Sequence, residues 1–346
     1  MLSAVLHEPN RLELVTRDVP EPGPGDILLK IEATTLCGTD IRILDGSKTA
    51  GVRPGVTPGH EIAGRIAALG PGVTGYEVGQ QATVAIVVSC NRCRACLNDR
   101  EHLCADLALF GYGIDGGLAE YMLVPADVVA KGNVMTTSTE IPATTLALSE
   151  PVSCCLNGFD QYAAGPGDTV VILGAGPIGL LHTQLAAKMA GARQVIVSNR
   201  SAARREAALV CGATHAVDPT ATDLAAFVQG ATDGAGADVV VVCIGGIDLA
   251  NVALDLAGIG GRVSYFAGFP KGSTAVMDPN LIHYKELVVT GGSNARRRDV
   301  RRAISVLESG LIDAAPIVSH RFPLQDLYAA YDALKQRTGV KIAVLP

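Results

Sequence analysis

Residues 170–181 read VVILGAGPIGLL, an unbroken apolar run that passes directly into Gly174-x-Gly176-x-x-Gly179. An apolar run of this length predicts a buried strand. Pro177 at the first position after the glycine turn, and Gly191 beyond "HTQLAAKMA", predict a helix between them. A glycine turn joining a strand to a helix lets a backbone approach a pyrophosphate, which the helix N-terminus then favours electrostatically. Gly174, Gly176, Pro177, Ile178 and Gly179 are therefore the expected dinucleotide-binding turn.

The pattern continues outward from this turn. "QVIVSN", "ADVVVVCIG", "GRVSYFAGF" and "ELVVTGGS" read as strands, separated by helical stretches such as "SAARREAALVCG" and "DLANVALDLAG". Alternating strands and helices of these lengths predict a parallel sheet covered on both faces, a Rossmann doubly wound domain over 151–293. Residues 1–150 have another texture. Short β-branched runs ("DILLKIEAT", "QATVAIVVS") are broken by "EPGPGD" and "GPGVTGYEVGQ", which predicts a mostly β domain. Residues 294–346 are mixed, with a helix at "DVRRAISVLESG" and a strand at "VKIAVLP".

The second strand's end distinguishes the two nicotinamide dinucleotides. An acid there accepts bonds from a ribose 2′-hydroxyl. This chain has "VIVSNRSAARRE", with Ser198 and Asn199 in place of an acid and Arg200, Arg204 and Arg205 following. Neutral donors and guanidinium groups suit a 2′-phosphate, so NADP(H) is expected. NAD bound through Asn199, with the arginines on a solvated face, is the alternative.

Four of the nine cysteines fall in "CNRCRACLNDREHLC", as Cys90-x2-Cys93-x2-Cys96-x7-Cys104. Four thiolates at this spacing predict a closed structural zinc site in a lobe at about 88–106. A ferredoxin-type cluster would close with a three-residue gap and a proline, and neither is present. Three further segments carry metal-ligand chemistry: Cys37 in "TTLCGTDIRILDG", His60 and Glu61 in "TPGHEIAGRI", and Glu150 in "ALSEPVSCC". A thiolate, an imidazole and a carboxylate leave a position open for a substrate oxygen. Singly, each has a plain reading as a core or ion-pair residue.

The bulk numbers bound the rest. At 346 residues two domains are expected. A net charge of −6 gives no support to nucleic-acid binding. The most apolar stretch carries His182, Gln184 and Lys188 and is not a membrane span. Nine cysteines with no secretory pattern at "MLSAVLHEPNRLELV" point to a reducing compartment and a cytoplasmic location.

Taken together, "CGTD", "GHEIAGRIAALGPGVTGYEVGQQATV", the four-cysteine lobe, "GGLAEYMLVP", "SEP" and "GAGPIG" resemble the zinc-dependent medium-chain dehydrogenase/reductase superfamily. The resemblance runs end to end and is nearest to the polyol (sorbitol) dehydrogenase and threonine dehydrogenase branch. It implies a GroES-like β-barrel catalytic domain interrupted by the nucleotide domain, with 294–346 returning to the first. Cys37, His60 and Glu61 then match the catalytic zinc ligands, and Glu150 the second carboxylate. Thr39 matches the hydroxyl that relays the substrate's proton. Ser293 and Asn294 match a loop near the nicotinamide. Two zinc ions per chain, a secondary alcohol or ketone of polyol type as substrate, and a homotetramer or homodimer are implied. An NAD-dependent L-threonine dehydrogenase and a non-catalytic nucleotide-binding protein are the alternatives.

One position departs from the family pattern. Where the relay normally ends in histidine, this chain has Arg42, which cannot shuttle a proton. Other marked features take plain readings. The run "ARRRDVRR" at 295–302 is expected as solvated surface, Cys154 and Cys155 as packing, and His102 as no ligand.

Overall fold

The computed structural model describes all residues, 1–346. The chain divides into two units, Met1–Ser153 with Asn294–Gly310 and Val318–Pro346, and Cys154–Ser293 with Leu311–Ile317.

In the second unit the apolar run forms the strand Thr169–Leu173, every residue of it buried. It lies inside a six-stranded sheet ordered His215–Val217, Gln194–Ser198, Thr169–Leu173, Ala237–Val242, Ala257–Tyr265, Val288–Gly291. All five pairings are parallel. Numbered along the chain this order is 3-2-1-4-5-6, the doubly wound arrangement in which the strand order reverses beside the first strand. Val170, Val171 and Ile172 are inaccessible to solvent, and burial of such side chains contributes about 1.5–3 kcal/mol each.

Two features differ from the sequence reading. The helix after the glycine turn is α-helical only over Pro177–Gln184 and continues as a π-turn, Leu185–Met189. Segment Leu311–Ile317 does not return with its neighbours to the first unit, as 294–346 was expected to do. The Gln184 side chain holds it: Nε2 donates to the Asp313 carbonyl at 2.8 Å, and Oε1 accepts from the Asp313 amide at 2.7 Å. Gln184 is wholly buried, so this amide pair fixes the segment in a dry environment.

The first unit is built on a seven-stranded sheet. Its order is Val318–Pro323, Lys341–Leu345, Ile27–Leu36, Glu61–Leu69, Gln81–Val84, Val134–Thr136, with Tyr121–Val124 also pairing with Ile27–Leu36. The run read as one strand, "QATVAIVVS", splits into Gln81–Val84 and Val87–Val88. Ile27, Leu29, Ile62, Ile66 and Phe110 fill one core against this sheet. The final strand inserts between Val318–Pro323 and Ile27–Leu36, so residues far apart in sequence are hydrogen-bonded neighbours.

Candidate functional site

The glycine turn is backbone-determined. Gly174 has φ +104°, a conformation that side chains resist. A Cβ on Gly179 would collide with the Gly174 carbonyl oxygen, so only glycine lets the helix start this close to the strand. The Gly174 amide donates to the Ser198 carbonyl at 2.9 Å, tying the turn to the end of the next strand. There Ser198 is buried and Asn199 half-buried, with no carboxylate at either position. The Asn199 side chain accepts from the Ser201 amide at 2.9 Å.

Arg205, expected at a phosphate, is engaged otherwise. Its Nη1 donates to the carbonyls of Asn199 and Arg200, both at 2.8 Å, and to Asp218 at 2.9 Å. It braces the loop that displays Asn199 and Arg200, and Arg200 is exposed. Ser293 accepts a long bond from Asn157 at its carbonyl, and Asn294 has φ +54° with its side chain on the His102 carbonyl at 3.4 Å.

In the lobe, Cys93 caps the short helix Arg94–Leu97, which carries Cys96. Sulfur separations are 4.0 Å for Cys90–Cys96, 3.5 Å for Cys93–Cys96 and 3.8 Å for Cys93–Cys104. All four thiols lie within 4.8 Å of one another. Tetrahedral zinc with bonds of about 2.3 Å sets its sulfurs about 3.8 Å apart, so the donor set fits that ion. Charge tells the same story. Amides of Ala105 and Cys96 pull Cys93 down to about 6, whereas burial and the neighbouring Cys93 push Cys96 up to about 11. Four crowded thiols without a cation cannot all ionise. His102 is buried within the lobe and lies outside the four-thiol set.

The basic run at 295–302 is not simply solvated surface. Arg297 donates from its amide to Glu101 at 3.1 Å and from its guanidinium to Ser89 and Asn91. Arg296 pairs with the fully buried Asp299 at 2.6 Å, closing the N-terminus of helix Arg297–Glu308. The run moors the cysteine lobe to this helix, while Arg298 and Arg301 remain exposed.

Cys37, His60 and Glu61 offer ligand atoms that also lie within 4.8 Å of one another. Strand Ile27–Leu36 ends immediately before Cys37, which caps helix Gly38–Leu44. Glu61 opens the adjacent strand and sits opposite Thr35 in register, which brings the two segments together. The Cys37 amide donates to Asp40 at 2.7 Å, and the other Asp40 oxygen is 3.1 Å from Nδ1 of His60. With Nδ1 beside Asp40, Nε2 is the nitrogen left for an ion. Burial opposes a charge on His60, but Asp40 and Tyr112 outweigh it and hold its pKa well above the ordinary value. A thiol, an imidazole and a carboxylate gathered this closely are a donor set that fits zinc.

Glu150, in the first turn of helix Ser149–Tyr162, stands outside this three-residue group. It is near enough to act electrostatically on Tyr112 and Lys341. Thr39 is half-buried on helix Gly38–Leu44, and its Oγ1 accepts from Arg42.

Sequence reasoning missed two residues here. Asp40 orients His60. Lys341, 3% exposed at its side chain, places Nζ 2.6 Å from Oε1 of Glu61. Burial alone would lower the Lys341 pKa, but Glu61, Cys37 and Glu150 together raise it. The available signal was a single lysine in the apolar strand "VKIAVLP".

Among known proteins, the model of the alcohol dehydrogenase GroES-like domain matches residues 23–134, and that of the zinc-binding dehydrogenase matches 177–309. L-threonine 3-dehydrogenase of Pyrococcus furiosus is 37% identical over 340 residues, covering 96% of this chain and 95% of that protein. L-galactonate-5-dehydrogenase of Escherichia coli K12 is 33% identical over 339 residues, covering 97% and 96%. The crystal structure of a zinc-binding dehydrogenase from Sinorhizobium meliloti 1021 bound to NADP superposes with a TM-score of 0.92 at 34% identity, covering 100% of this chain and 99% of that one. By its matched domains, its full-length relatives and its fold, the chain belongs to the zinc-dependent medium-chain dehydrogenase/reductase superfamily.

Proposed function

We propose that the chain is a zinc-dependent oxidoreductase that moves hydride between NADP(H) and a secondary alcohol or its ketone, with a polyol or sugar-like substrate. The observation that carries this reading is the convergence of Cys37, His60 and Glu61 within 4.8 Å, from two adjacent strand ends. These residues would hold one zinc ion, with Glu150 as the nearby second carboxylate, and Cys90, Cys93, Cys96 and Cys104 would hold another. When bound, zinc supplies Lewis acidity at a substrate oxygen, and the nicotinamide supplies or accepts the hydride.

The rest is the work of this chain's side chains. Asp40 fixes the His60 ring through Nδ1. Thr39 Oγ1 can donate and accept, so it is the atom at which the substrate's proton is held. The turn Gly174–Gly179, Pro177 and Ile178 included, receives the pyrophosphate. Ser198, Asn199, Arg200 and Arg204 receive the adenosine ribose and its 2′-phosphate, on a loop braced by Arg205, and Ser293 and Asn294 are candidates for the nicotinamide end. Support for NADP(H) comes from the missing acid at the end of strand Gln194–Ser198 and from the NADP-bound relative. A metal site containing a carboxylate is more polar than one with two thiolates, which favours hydroxylated substrates.

A second reading has its own support. The 37% identity to a threonine dehydrogenase makes L-threonine with NAD the alternative pair. Initial rates with a panel of polyols, ketoses and L-threonine, each with both cofactors, decide between them. A polyol or ketose turned over with NADP(H) at ten times the efficiency of L-threonine with NAD is the expected result, and the reverse overturns it.

A further inference from the structure

The ring of Tyr112 packs against the imidazole of His60, with centroids 5.5 Å apart and planes tilted by 58°. It stands on the loop that follows strand Ala108–Leu109. A Cβ on Gly111 would meet the Gly59 carbonyl oxygen at 2.8 Å, so only glycine lets this loop approach the segment that carries His60. The Arg53 amide donates to the Tyr112 carbonyl at 2.9 Å, and Leu6, Ile43 and Val56 pack with the side chain. Lys48 places Nζ 5.5 Å from the ring centre, a cation on the aromatic face. The ring is thus held on several sides.

Its hydroxyl is not. Tyr112 is only 7% exposed, yet the hydroxyl has no hydrogen-bond partner in the chain. It is not sealed from solvent either. It lies near enough to His60, Asp40, Glu150 and Cys37 to feel their charges. A buried tyrosine hydroxyl normally finds a partner, because leaving one unpaired costs about 1–3 kcal/mol. Phenylalanine would fill the same space without that cost. A fixed ring that carries an unused donor beside the ligand residues is built as a binding contact.

We propose that Tyr112 is a specificity-determining residue whose hydroxyl binds a second hydroxyl of the substrate, on a carbon beside the one oxidised, which makes vicinal diols and polyols the substrate class. The inference rests on the reading of the chain as an alcohol oxidoreductase with its site at Cys37, His60 and Glu61. Contact of the ring with His60 keeps the recognised hydroxyl close to the reacting carbon. A simple secondary alcohol displaces water from Tyr112 and leaves its hydroxyl unpaired, whereas a diol pairs with it. A polar site rejects an analogue that lacks one hydroxyl in this way.

Oxidation of 2,3-butanediol and 2-butanol tests this, because the two differ by one hydroxyl beside the reacting carbon. In wild type the ratio of kcat/KM for the diol to that for 2-butanol exceeds about ten. Tyr112→Phe lowers that ratio about tenfold, the scale of one buried group left unpaired. Calorimetric titration of sorbitol into the zinc-loaded protein without cofactor reads the contact without turnover, and its dissociation constant rises about tenfold in Tyr112→Phe. The variant keeps its zinc and melts at or above the wild-type temperature, because the hydroxyl it lacks holds no other part of the chain.

An unchanged ratio in Tyr112→Phe overturns the proposal, as does an unchanged affinity for sorbitol. Equal losses on both alcohols with a lower melting temperature give Tyr112 a structural role and overturn it as well. The two levels fail separately. A wild type that oxidises L-threonine and neither alcohol, and binds no sorbitol, removes the polyol reading and this inference with it. Oxidation of both alcohols at a ratio that Tyr112→Phe leaves alone removes only the role of Tyr112.

Discussion

The guanidinium of Arg42 donates to Oγ1 of Thr39 at 2.8 Å, one turn away on helix Gly38–Leu44. Arginine donates and never accepts, so the Thr39 oxygen is the acceptor and its own proton must point elsewhere. The contact orients the hydroxyl but offers no titratable outlet. Arg42→His is expected to add an ionisation at about pH 6.5 to the pH profile of kcat/KM that wild type lacks. Thr39→Val should lower kcat by at least about a hundredfold, the usual scale of a lost proton-transfer group. Superimposable profiles for wild type and Arg42→His would remove Arg42 from the relay's path.

Metal content distinguishes the two cysteine-bearing sites. Cys104 accepts from the amides of Cys90 and Asp106, both at 3.3 Å, besides lying among the other thiols. Cys104→Ser is expected to lose the lobe's ion and to lower the melting temperature, because a closed structural site contributes folding free energy. Cys37→Ala should lose its ion and its turnover while melting near wild type. Atomic absorption and a thermal melt on both variants check the contrast.

Cofactor choice is predicted to turn on Asn199. A carboxylate at this position repels a 2′-phosphate and accepts from a 2′-hydroxyl. Asn199→Asp should therefore reduce the ratio of kcat/KM for NADPH to that for NADH by about tenfold or more, the scale of one charged contact. Arg205→Ala should impair both cofactors together, since Arg205 braces the loop through two carbonyls and Asp218.

Acid stability carries a signature of His182. Burial pushes its pKa down to about 3, and its Nδ1 lies 2.8 Å from the Tyr162 hydroxyl. The unfolded chain binds this proton below about pH 6.5, whereas the folded one refuses it until about pH 3. The stability held by neutral His182 is thus complete above about pH 6.5 and is lost as the pH falls, at up to about 1.4 kcal/mol per unit. His182→Asn, which keeps a partner for Tyr162, should flatten this slope. Urea midpoints between pH 4.5 and 7 measure the difference, and parallel slopes for the two proteins would refute it.

What the sequence revealed was what is local. The strand–turn–helix around Gly174 and Gly179 is contiguous, so its geometry was legible, and the cysteine spacing placed four sulfurs on one short loop. The second unit's strand and helix alternation likewise translated into a parallel sheet. Contacts across long sequence separations were not legible. Lys341 and Glu61 are 280 positions apart, and only the register of three strands joins them. Arg297 reaches Glu101 across 196 positions, which turned an apparent charge run into a mooring. Asp40 was visible in "CGTD", but nothing local said that it faces His60. The family resemblance brought Cys37, His60 and Glu61 together before any geometry did.

The long separation between Glu61 and Lys341 orders events during synthesis. All strands of the parallel sheet are translated after the thiolate, imidazole and carboxylate have emerged and before their ammonium neighbour exists. The buried Glu61–Lys341 pair therefore closes only when the last strand of the chain has been made.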